Sequence, residues 1–85
     1  MDPDDASAYH NRGIAYGALD QHQKAIDDFT KAIELKPDNA RAYLDRGAEY
    51  AKLDKHEKAL ADFDKVLEID PNNSSLNYDI HRLKR

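Results

Sequence analysis

Four histidines and several closely spaced carboxylates are the side chains of this 85-residue sequence with the makings of chemistry. His22 and His56 stand in the matching segments "LDQHQ" and "LDKHE", which would set them side by side along one edge. Neighbouring imidazoles are a common beginning for a metal site. The chain has no cysteine and no HExxH-type spacing, so both are read as turn residues, packed or solvated. His10 and His81 belong to different predicted helices and join no constellation. General acid–base catalysis needs two carboxylates in a dry pocket with separated pKa values. Asp27–Asp28 and Asp62–Asp64 instead have lysines close by, Lys24 with Asp28 and Asp27 with Lys31, the spacing of a solvated and screened helix face. Serines occur only near expected helix starts, without a glycine-flanked nucleophile, and no glycine-rich phosphate loop appears. The expectation is no catalytic residue, no metal, no cofactor and no enzyme.

Composition removes further classes. A formal net charge of −4 offers nucleic-acid phosphates no basic face. No apolar run approaches the ~20 residues of a membrane span, and the acidic start "MDPDDASAY" is unlike a signal peptide. A soluble, cytoplasmic protein without nucleic-acid or membrane partner is expected, and lack of cysteine excludes a disulfide framework.

The elements that would position any site are set by a repeat. Pro3, Pro37 and Pro71 fall at intervals of 34 residues. Residues 40–73 laid under 6–39 match at about half of the positions. Each unit reads as two helices. The first, near 5–19, carries Tyr9, Ala15, Tyr16 and Leu19 at helical spacing; the second, near 21–35, carries Ala25, Ile26, Phe29, Ala32 and Ile33. Asp20 with Gln23, and Asp54 with Glu57, have the spacing of capping boxes. Pro37 and Pro71 should stop the second helices, after which Asn39, and Asn73 or Ser74, can cap the next. Short connections make successive helices antiparallel.

Gly13 and Gly47 interrupt helices at a cost of roughly 1 kcal/mol against alanine. Ala25 and Ala59 follow twelve residues later, which predicts small residues facing one another at a close approach, with Tyr16 or Phe29 filling the flanks. Arg12 and Arg46 lie beside that contact and need counter-charges. Asp28 and Asp62, sixteen residues on, are the predicted partners, with Asp28 a second choice for Arg46. Beyond Asn73, Leu76, Ile80 and Leu83 form a stripe suited to a fifth helix over 74–85, a lid on unit two whose other face, with Asp79, Arg82, Lys84 and Arg85, is polar.

The series Tyr9, Gly13, Tyr16, Ala25, Phe29, Ala32, Pro37 resembles the tetratricopeptide repeat, as does Tyr43, Gly47, Tyr50, Ala59, Phe63, Val66, Pro71. The pattern departs from the family where arginine replaces the usual leucine, and where Asp20/Asp54 and His22/His56 replace the usual glycine and aromatic of the turn. The resemblance implies an all-α fold over residues 1–85, a right-handed superhelical α-solenoid of antiparallel helix pairs with five helices: repeats at 6–39 and 40–73 and a capping helix at 74–85. It also implies a concave face lined by first helices that holds a peptide or a partner protein's segment. Carried onto this chain, that groove takes Ser7, His10, Asn11, Ile14 and Ala18, then Arg41, Leu44, Asp45, Ala48 and Lys52, and from the last helix Tyr78 and Arg82, with Ser75 and Asp79.

Co-chaperone members of the family clamp a C-terminal carboxylate with basic and amide groups. Here Ile14, Asp45, Ser75 and Asp79 occupy those places, so no clamp is expected and a mixed or moderately basic ligand suits the groove better. A structural or engineered scaffold without a native ligand is the alternative. The opening "DPDD" matches the end of a unit, which fits excision from a longer array. Self-association is a further expectation, by packing of the uncapped first helix on another copy or by exchange of halves through straightened turns.

Overall fold

The computed structural model describes residues 3–72, and these form four helices without a strand. They are α1 (Ala6–Ala18), α2 (His22–Leu35), α3 (Ala40–Lys52) and α4 (His56–Ile69). Four are counted against the five expected; the fifth, at 74–85, lies outside the described residues, as do the caps placed at Asn73 and Ser74.

First helices begin on side-chain caps. Asp5 accepts from the Ala8 N–H at 3.2 Å, and Asn39 accepts from the Ala42 N–H at 3.3 Å. Second helices stop before proline: α2 ends at Leu35 with Lys36 at φ −139°, and α4 at Ile69 with Asp70 at φ −135°. The turn inside each unit differs from the predicted capping boxes. Asp20 and Asp54 adopt φ 61° and 60° and close the helix before them rather than opening the one after. The Asp20 N–H donates to the Gly17 carbonyl and the Gln21 N–H to that of Tyr16, at 3.0 and 2.9 Å, and Asp54 and Lys55 repeat the pattern. This is a Schellman closure. A short polar side chain tolerates the left-handed conformation glycine usually supplies. Gln21 and Lys55 therefore become the caps of α2 and α4, with no side-chain bond.

α1 packs on α2, α2 on α3 and α3 on α4, while α1 meets α3 more sparingly. Phe29, Phe63 and Val66 fill the core with Ala25, Ala32, Ala42, Ala59, Ile26 and Ile33. The glycine contact is with a ring. A Cβ on Gly13 would sit 2.6 Å from Phe29 Cε1, and one on Gly47 2.6 Å from Phe63 Cε1. The phenylalanine, which for unit one was expected only at the flank, is the nearest side chain to each glycine. Ala15 and Leu19 are exposed, contrary to the expected stripe; α1 buries Ala6, Gly13 and Gly17 instead.

Both predicted bridges form. Arg12 reaches Asp28 through Nε and Nη2, both at 2.7 Å, and Arg46 reaches Asp62 at 2.8 and 2.6 Å. Each guanidinium also lies between two tyrosines, Arg12 at 5.7 Å from the Tyr9 and Tyr16 rings and Arg46 at 5.6 and 5.8 Å from Tyr43 and Tyr50. The hydrogen bonds to aspartate raise both arginines above their ordinary pKa, against the opposing effect of burial. Across the boundary Arg46 finds Thr30 rather than Asp28, donating through Nη1 at 3.2 Å. Asp28 and Asp62 are buried, so the solvated-face reading fails for them. The i,i+4 pairs drawn from it are replaced as well: Lys24 lies over the Tyr16 ring at 5.6 Å, and Asp27 accepts from Gln23 at 3.0 Å.

Gly47→Ala should lower the thermal midpoint despite a helix-propensity gain of roughly 1 kcal/mol, because overpacking a core costs about 1–3 kcal/mol. Circular-dichroism melting checks this. Asp62→Asn should cost about 3 kcal/mol in urea unfolding, since it strands a largely buried guanidinium.

Candidate functional site

The helix starts capped by Asp5 and Asn39 set α1 and α3 in the same register within their units, so residues 34 apart share a face. Of the α1 residues expected to line a groove, Ser7, Asn11, Ile14 and Ala18 are exposed and His10 is half-buried. On α3, Arg41 and Lys52 are exposed, while Leu44, Asp45 and Ala48 are half-buried. Tyr78 and Arg82, with Ser75 and Asp79, lie outside the described residues.

The structure brings together a pair the sequence left apart. His10 Nε2 and Asp45 Oδ2 are 2.7 Å from one another, joining α1 to α3. The imidazole stands edge-on to the Phe29 ring at 5.5 Å. Arg41 approaches the same carboxylate from solvent, its Nε 3.3 Å from Oδ1 and 3.4 Å from Oδ2. A carboxylate-oriented imidazole is half of a nucleophile-activating arrangement. Among the described residues no hydroxyl is hydrogen-bonded to His10, so the pair orients a ring and fixes the spacing of two helices.

A second cluster sits at the other end of α3. The Glu49 carboxylate is buried against Gly17 of α1, where a Cβ would lie 3.1 Å from both oxygens. It meets His22 Nδ1 at 2.7 Å and accepts from Lys52 Nζ at 3.0 Å. His22 therefore joins the two units and also lies 3.9 Å from Asp20, while the equivalent His56 is 3.8 Å from Asp54 and exposed. Among the described residues no three His, Cys, Asp or Glu side chains are grouped to hold a metal. Glu49 was missed by sequence reasoning, yet a signal existed: its counterpart in unit one is Ala15, so the acid departs from the repeat at the position that meets His22.

Two 34-residue helix hairpins in this geometry match the model of the tetratricopeptide repeat at residues 6–39 and 40–73. The chain belongs to the tetratricopeptide repeat family. Solved repeat domains share its fold. The first such domain of Spaghetti (RPAP3), bound to the HSP90 peptide SRMEEVD, is 32% identical with a TM-score of 0.94, over 98% of this chain and 66% of that one. The Arabidopsis OM64 domain is 34% identical with a TM-score of 0.93, over 98% and 69%. The second domain of human RPAP3, in complex with the HSP70 peptide SGPTIEEVD, is 30% identical with a TM-score of 0.90, over 95% and 68%. This tetratricopeptide repeat chain thus spans about two thirds of those domains. No curated protein sequence matches it significantly. None of its described helices is long and apolar enough to cross a membrane.

Asp45→Ala should cost about 1.5–3 kcal/mol of stability, the range for a hydrogen bond to a charged group. His10→Ala in the same background should add little, because the two share one interaction. A double-mutant cycle in urea reads the coupling.

Proposed function

We propose that this chain is a non-enzymatic protein-interaction module whose α1–α3 face holds an extended peptide or a segment of a partner protein. The observation that carries the reading is the strip between the two charged clusters. Asn11, Ile14, Leu44 and Ala48 offer apolar surface with one amide, and Ile14 is 49% exposed. An amide both donates to and accepts from a peptide backbone. Support also comes from similar domains bound to HSP90 and HSP70 peptides.

Ligand sign is argued from the centre of the face. Those peptides end in the acidic sequence EEVD. Here the Asp45 carboxylate is central, Ile14 is apolar, and Arg41 and Lys52 already face Asp45 and Glu49. A free carboxylate would meet an anion with its nearby cations engaged. A segment of mixed or moderately basic character is the better fit, its cation displacing the outlying Arg41 from Asp45.

A structural scaffold without a native ligand is the second reading. It is favoured by the same pairing, which leaves few polar groups convergent on a guest.

Titration of the isotope-labelled chain with peptides, followed by amide NMR, tests both. A basic or mixed segment should shift Asn11, Ile14, Leu44 and Ala48, while SRMEEVD should bind no tighter than about 1 mM. Micromolar binding of SRMEEVD would reverse the ligand sign. Shifts confined to α2 and α4 would remove the face, and an array without any binder leaves the scaffold.

A further inference from the structure

Among the described residues, Asp28, Asp45, Glu49 and Asp62 each bond to a side chain on another helix. Asp28, Glu49 and Asp62 keep no more than 7% of their side-chain surface, while Asp45 keeps 20%. Asp45 is therefore the one of these four that a cation from solvent reaches most readily. Its two partners differ in kind. His10 Nε2 lies 2.7 Å from Oδ2, and its half-buried ring stands edge-on to Phe29. Arg41 is exposed and comes no closer than 3.3 Å to Oδ1 and 3.4 Å to Oδ2.

The forks that close the hairpins use arginine, whose charge is constant. On this face the inner partner is an imidazole, a group whose charge ordinarily comes and goes between about pH 5 and 8. Other groups around it are uncharged or already engaged. On its own helix Ser7, Asn11 and Ile14 carry no charge, and Arg12 is forked on Asp28. α2 presents the Phe29 ring. On α3, Glu49 stands one turn beyond Asp45 and is held by His22 and Lys52. With protons on both ring nitrogens, His10 brings a full positive charge to Asp45. With one proton gone the ring still donates from Nε2, but the negative charge of the carboxylate is then opposed by the outlying Arg41 alone.

We propose that His10 is a proton gate on the α1–α3 face, its proton and a cation from outside competing for the Asp45 carboxylate. The gate rests on the reading of that face as a peptide site and adds its regulation. A basic segment binds tighter as pH rises, and its arrival releases the Nδ1 proton of His10 to solvent. By reciprocity, a proton on His10 weakens the segment by the same factor. Arg41 is the internal stand-in for the segment's cation, so the competition already operates in the free chain.

NMR of the histidine rings in the full chain, followed from about pH 5 to 8, reads the pH at which His10 is half protonated. Arg41→Gln should raise that pH by roughly half a unit, the effect of unit charges a few ångströms apart near water. Lys52→Gln, which removes a cation held on Glu49, should leave it in place. The peptide Ac-Gly-Leu-Arg-Leu-Gly-amide, titrated against the amides of Asn11, Ile14, Leu44 and Ala48, should bind roughly threefold tighter at the upper end of that range than at the lower. The same peptide with citrulline for arginine should bind equally at both. Arg41→Gln without effect on His10 would overturn the gate, as would an arginine peptide whose affinity is constant or falls with rising pH; either result leaves the peptide site standing. If Arg41→Gln moves His10 and neither peptide shifts the face, the competition holds and the peptide site is what fails.

Discussion

A carboxylate buried between two helices is tolerable only if a cation reaches it in the right geometry, and this chain meets that condition with an arginine fork in each hairpin. Asp28 and Asp62 are among its most buried charged side chains, and each receives two guanidinium hydrogen bonds. The fork fixes the rotation of the first helix against the second, since a bidentate pair tolerates little slippage. Tyr9 and Tyr16, or Tyr43 and Tyr50, stand one turn to either side of the arginine and hold it in place. That rotation aims Gly13 at Phe29 and Gly47 at Phe63, which brings the helices together and seals the aspartate from water. Charge, ring stack and glycine contact are thus one device in each hairpin. Oily surface drives the closure, but the ion pair decides its angle.

Legibility in the sequence followed the range of each interaction. Helix existence, the proline stops and the cap at Asn39 depend on a few neighbouring residues and were readable. The Arg–Asp bridges were readable for another reason: recurrence of the same offset in two units made a long-range pair look local. Asp20 and Asp54 were misread because aspartate serves equally as a helix cap and as a left-handed residue, and only the Schellman bonds decide between them. At Gly13 the ring expected at the flank, Phe29, is the nearest contact, because spacing identifies the facing helix and not the rotamer that enters the gap.

What remained hidden in the candidate site occurs once rather than twice. His10 pairs with Asp45, yet its counterpart is Leu44 and that of Asp45 is Asn11, so no recurrence marks the contact. Glu49 and His22 meet across the boundary between units, and the corresponding position in unit one is Ala15. These contacts depend on how one hairpin lies on the next, a relation that no property of a single hairpin encodes. Most residues expected to line a groove could be assigned to a helix, but their mutual engagement could not.

This division between repeated and unrepeated contacts bears on how the surface can change. Residues that recur, Arg12 with Arg46 and Phe29 with Phe63, hold hairpins shut, and altering one disturbs the fold. Several residues that differ between the units sit at the junction or on the α1–α3 face, where they do not enter the Arg–Asp and Gly–Phe contacts that close a hairpin. Thr30 against Asp64, Ala15 against Glu49 and Ile14 against Ala48 are of this second kind. A stack whose angle is set inside each hairpin leaves its outer faces free to acquire a sign, an apolar anchor or a hydrogen-bonding side chain at little structural cost. Specificity in such a chain is therefore to be sought in the departures from the repeat, because the repeat itself is already committed to closing helices.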